Sequence, residues 1–148
     1  MTSIFLLILL IILVILSGFL SGSETAITAT SKARILYKKK KGSKRAGYVL
    51  ELLDKKDNVI STLLLSNNLV NILASSLATA FFYDLFGVEG IFYATMIMTV
   101  VIVIFAEVLP KTYAINRPNR TALLISPIIY YLNKILFVFV FVINLIVR

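Results

Sequence analysis

Thirteen consecutive apolar residues, Ile4–Leu16, stand near the start of the chain, and no charged side chain appears before Glu24. Two later stretches, Asn58–Tyr83 and Gly90–Ala106, are also free of charge. A helix needs about 20 mainly apolar residues to cross the hydrocarbon core of a bilayer. The chain has 148 residues, 59% hydrophobic and 15% charged, with a mean hydropathy of +0.97. A soluble domain is nearer half apolar and a quarter charged. The expectation is an all-α membrane protein, one transmembrane domain over 1–148, with three transmembrane helices at about 3–24, 58–82 and 89–110. The first run crosses only by including "SGFLSGS". A cleaved signal peptide fits badly, because lysine and arginine are missing before the run and abundant after it.

Position decides what the net charge of +8 means. Ten of the fifteen Lys and Arg residues lie between Lys32 and Lys56, and none lies between Asn58 and Ala106. Basic loops face the cytoplasm, which gives a plasma-membrane protein with its N-terminus outside and its basic loop and C-terminus inside. The basic segment 31–57 is read as juxtamembrane helices at the cytoplasmic headgroups, where membrane lipids are its partners. Nucleic acid is excluded as a partner, since no aromatic–basic interleaving accompanies the lysines. "YDLFGVEG", with Asp84, Glu89 and two glycines, reads as an outer turn. Segment 121–148 is read as a C-terminal interfacial belt helix, interrupted early by Pro127 and with Lys134 snorkelling to water. Its uncharged run Ile135–Val147 covers only about 20 Å as a helix.

Cysteine and histidine are both absent. That removes disulfides, thiolate and imidazole ligands and His-based catalysis. A metal here must be held by oxygen, which favours hard cations such as Mg²⁺ or Ca²⁺ over zinc or copper, and Na⁺ is served by much the same oxygens. No enzyme is expected: the spans lack aspartate as well, so the usual nucleophile and acid–base sets are missing.

Three polar clusters interrupt the apolar spans. In "LSGFLSGSETA", Ser17 and Ser21 share a helix face, Gly18 and Gly22 permit close helix approach, and Ser23 and Glu24 extend the polarity. In "LLLSNNLVNILASS", Asn67, Asn71 and Ser75 line one face at i, i+4 and i+8, with Asn68 about 100° aside. Each buried amide needs partners, at a cost of roughly 2–7 kcal/mol if unpaired. In "VVIVIFAEVLPKTYA", Glu107 stands at the end of an apolar run, and an intramembrane carboxylate is a functional hypothesis by default. The bland alternative pairs it with Lys111 at i+4. Pro110 lacks an N–H, so the carbonyl of Ala106 loses its helical partner and the helix is expected to kink beside Glu107. Freed carbonyls at broken helices coordinate cations in transporters.

At "SGFLSGSETA", "SNNLVNILASSLAT" and "AEVLPKTYA" the sequence resembles the membrane domain of CNNM/CorC magnesium transporters, over nearly its whole length. Ser66 and Ala106 stand where that family usually has glycine. The resemblance implies a homodimer in which each subunit holds a dehydrated Mg²⁺ between three spans. It implies export by alternating access, driven by Na⁺. Carried onto this chain, the ligand region is Ser17, Ser21, Ser23, Ser66, Asn67, Asn71, Ala106 and Glu107, with Pro110 and Lys111 shaping the kink. The ATP-binding CBS domains and a further cytosolic domain of that family are expected to be missing, because the sequence stops inside apolar residues. Another reading of the same site is a non-transporting dimeric module, a Mg²⁺ sensor or scaffold.

Overall fold

The computed structural model describes residues 2–147, and expectations that rest on Met1 and Arg148 lie outside it. Its helices are, in order, α1 (Thr2–Ala29), α2 (Lys32–Lys40), α3 (Lys44–Asp54), α4 (Lys56–Phe86), α5 (Glu89–Val101), α6 (Leu109–Asn116), α7 (Pro118–Ile135) and α8 (Phe137–Val147). A π-helical segment, Ile102–Val108, joins α5 to α6. No strand occurs among the described residues. Three helical stretches are long and apolar enough to cross a membrane: α1, α4 and the continuous run Glu89–Asn116. The helices overrun the charge-free stretches. α1 continues past Glu24, and α4 begins at Lys56.

The chain divides into two compact units, residues 2–21 with 66–110 and residues 22–65 with 111–147. In the first, α4 ends at Gly87, which sits at φ +69°, a left-handed position that glycine fills without strain. Its N–H donates to Tyr83 O (2.8 Å), and Gly90 N–H donates to Gly87 O (3.0 Å), which closes the turn into α5. Gly90 then lies against the α4 backbone. A Cβ built on it would stand 2.1 Å from Phe82 O. No side chain fits there, so this glycine sets how closely α4 and α5 pack.

The second unit holds the basic segment. Ser43 caps α3 by accepting from Ala46 N–H (3.3 Å). α3 buries Ala46, Val49, Leu50 and Leu52 and packs against α2 and α7. α7 starts with Pro118 in its first turn, where the missing N–H costs nothing. It buries Thr121, Ile125, Ile129 and Asn133 at four-residue spacing, and Asn133 Oδ1 accepts from the buried Thr62 Oγ1 (2.9 Å).

The interruption expected at Pro127 does not occur. Pro127 deprives Leu123 O of its helical donor, and Ser126 Oγ supplies one at 3.0 Å. Arg45 Nη1 reaches the next carbonyl, Leu124 O, at 3.4 Å. The break comes later, at Leu136, where α7 and α8 meet at 67°. Residues 121–147 are therefore two helices, not one belt. Lys134 is exposed at the end of α7 and lies over the Tyr130 ring (4.4 Å), which contacts Tyr48 on α3 (centroids 5.0 Å). The hydrogen bond to Tyr131 is the main reason the Tyr48 phenol is raised above its ordinary range.

Candidate cation site

The site is built in the first unit from α1, α4 and the π-helical segment. Polar residues four apart on one helix share a face, so α1 and α4 each turn oxygen atoms in the same direction over two turns. Ser17 is buried (1% exposed), and its hydroxyl lies 2.8 Å from Asn67 Oδ1 and 2.5 Å from Asn71 Oδ1. Asn67 is also buried, Asn71 half-buried and Asn68 exposed. Thus the face inferred from i, i+4 spacing is the one that meets α1, and Asn68 stands apart from it.

A serine hydroxyl carries one proton, and an amide oxygen is only an acceptor. One proton cannot satisfy two amide oxygens. The Ser17 hydroxyl therefore stands between two amide oxygens, an oxygen-rich cluster that a cation or a further donor would stabilise.

One residue on, Gly18 meets the π-helical segment. A Cβ there would lie 3.1 Å from Phe105 O, 3.2 Å from Pro110 Cγ and 3.7 Å from Ala106 Cα. The close approach expected of this glycine is thus made against the stretch that carries Glu107. The helix around Pro110 differs from the expected kink. Leu109 N–H donates to Ile104 O, five residues back, and α6 continues through Pro110. In this wider turn each carbonyl looks to the N–H five residues ahead. Pro110 has no N–H for Phe105 O in this wider turn or for Ala106 O in an α turn, and Phe105 O is the oxygen that faces Gly18.

Glu107 is half-buried and makes no hydrogen bond or ion pair among the described residues. Among the described residues an ion pair joins Lys32 to Asp54 (3.5 Å), and none joins Glu107 to Lys111. Ser21 (0%), Ser66 (8%) and Ala106 (0%) are buried in the same unit. Ser23 (1%) and the half-buried Lys111 belong to the second unit. No group of three or more acidic, Cys or His side chains converges among the described residues, so any cation here is held mainly by neutral oxygen.

The family described as Cyclin M transmembrane N-terminal domain (CNNM) matches residues 8–148. The chain belongs to the CNNM/CorC transmembrane-domain family. It is 37% identical over 140 residues to a UPF0053 protein of Haemophilus influenzae, covering 95% of this chain and 33% of that protein. It is 41% identical over 131 residues to the UPF0053 inner membrane protein YfjD of Escherichia coli, covering 81% and 31%. A putative chloroplastic DUF21 domain-containing protein of Arabidopsis thaliana is 31% identical over 124 residues, covering 82% and 18%. The chain spans about a third of the length of its bacterial relatives, and this CNNM-family chain is a multi-pass membrane protein.

Proposed function

We propose that this chain is the membrane core of a Mg²⁺ transporter that moves the ion outward by alternating access, with Na⁺ as the counter-ion. The observation that carries the reading is the meeting of the buried Ser17 hydroxyl with Asn67 Oδ1 and Asn71 Oδ1. Glu107 supplies the formal negative charge. The carbonyls of Phe105 and Ala106, next to a proline that offers no N–H, are the candidate backbone oxygens. Ser21, Ser66 and Ala106, buried in the same unit, complete the candidate shell. A site with one carboxylate and several neutral oxygens attracts a divalent ion without trapping it, which transport requires.

The protein works as a homodimer in the plasma membrane, as the inner-membrane name of the E. coli relative suggests, with the basic segment on the cytoplasmic side. Its chemistry is displacement of water from the ion by protein oxygens, not bond making, so no enzyme activity is assigned. ATP would act on it only through CBS domains.

Calorimetric Mg²⁺ binding, together with Mg²⁺ flux in liposomes under opposed Na⁺ gradients, tests the reading. Glu107→Gln should abolish flux and leave the fold intact. Binding without flux in the wild type under every gradient would overturn transport in favour of a sensor or scaffold. Loss of neither binding nor flux in Glu107→Gln would remove that residue from the site.

A further inference from the structure

A second polar feature of the first unit plays no part in the cluster above. The face of α4 that carries Asn67 and Asn71 continues at the same spacing through Ser75 and Thr79 toward the α4–α5 turn. Opposite it, α5 carries Thr95 and Thr99, again four apart. Apart from Tyr93, they are the polar side chains of that helix between Gly90 and the π-helical segment. These four hydroxyl residues from two helices line one open crease of 340 Å³, together with Ala94, Met98, Ile102 and Val103.

The direction of the hydroxyl protons matters. Thr79 Oγ1 donates to Ser75 O (2.9 Å), Thr95 Oγ1 to Ile91 O (2.9 Å) and Thr99 Oγ1 to Thr95 O (2.6 Å). Each threonine has committed its one proton to its own helix, so what remains for an occupant is lone pairs. The three threonine oxygens therefore offer lone pairs to a cation or water, and the Ser75 hydroxyl can turn either way. From Asn71 to Thr79 is eight residues, about 12 Å along the helix. That is more than a third of the roughly 30 Å hydrocarbon core.

Resting on the cation-site reading, we infer that this crease is the hydrated path between the Ser17–Asn67–Asn71 cluster and the α4–α5 end of the membrane helices. Ser75, Thr79, Thr95 and Thr99 are its stepping oxygens. Back-bonded threonines also occur on lipid-facing helix surfaces, and the experiment separates the two situations.

The sequence contains no cysteine, so single cysteines report cleanly. In the protein reconstituted in liposomes, Ser75→Cys, Thr95→Cys and Met96→Cys are treated with a charged, membrane-impermeant thiosulfonate. Met96 is 54% exposed and off the crease, and serves as the lipid-facing control. Ser75→Cys and Thr95→Cys should react at least tenfold faster than Met96→Cys. The Thr95→Val/Thr99→Val double variant should lose tenfold or more of its Mg²⁺ flux while its Mg²⁺ affinity stays within twofold of wild type. The corresponding double serine variant should keep its flux. Labelling no faster than at Met96→Cys, or wild-type flux in the double valine variant, would overturn the path. Failure of the wild type to bind Mg²⁺ refutes the cluster reading instead, and the labelling rates are read without reference to it.

Discussion

Replacing glycine by alanine inside a helix normally stabilises it by roughly 0.5–1 kcal/mol, because glycine gives up more backbone freedom on folding. Gly90 should do the opposite. The added methyl would sit 2.1 Å from Phe82 O, 2.4 Å from Phe82 C and 2.8 Å from Tyr83 N. Ordinary contact begins near 3.4 Å, so the helices must part by about 1.3 Å at this point. All three obstacles are main chain, so no rotamer change relieves the overlap. Overpacking of this kind costs typically 1–3 kcal/mol, occasionally more. Against the entropic gain, Gly90→Ala should be destabilised by about 2 kcal/mol. Gly47 is the internal control: it lies within α3, and an added methyl there meets nothing within 4 Å. Gly47→Ala should gain roughly 0.5–1 kcal/mol. Reversible unfolding of both variants in mixed detergent micelles measures the two shifts. The same sign for both, or a Gly90→Ala variant as stable as wild type, would refute the close α4–α5 packing.

Ser17→Ala removes the hydroxyl shared by Asn67 and Asn71, and should weaken Mg²⁺ binding by tenfold or more in calorimetry. Ser126→Ala leaves Leu123 O without a donor in α7, which should cost about 1–3 kcal/mol in the same unfolding assay. Tyr48 has its phenol raised above 10.0, first by the hydrogen bond to Tyr131 and then by that residue's charge. Its folded state holds the proton more tightly than the unfolded one. The contribution is complete below pH 10 and is lost as pH rises through the folded value. Unfolding midpoints of wild type and Tyr48→Phe should therefore converge above about pH 10, and parallel curves would argue against the contact.

The spans were legible because a stretch such as Asn58–Tyr83 has nothing but apolar and neutral side chains. The Asn67–Asn71 face was legible because a four-residue repeat fixes direction whatever the helix packs against. Proline consequences were legible only in part. At both Pro110 and Pro127 the sequence says which residue lacks a donor. How the backbone redistributes the loss depends on neighbours. A widened turn answers it at Pro110, and the adjoining Ser126 hydroxyl answers it at Pro127. Thr95 and Thr99 carried a visible i, i+4 signal, but a pair of threonines in an apolar helix is unremarkable until a second helix is seen to face it. The bend at Leu136 has no proline or glycine at its position to announce it.

The oxygens at the heart of α1 and α4 have a bearing on energy coupling. Hydroxyl and amide groups neither gain nor lose a proton between about pH 5 and 9. On the proposed reading, a counter-ion acting at Ser17, Asn67 and Asn71 competes there as another cation does, by size and charge, since these three groups do not titrate in that range.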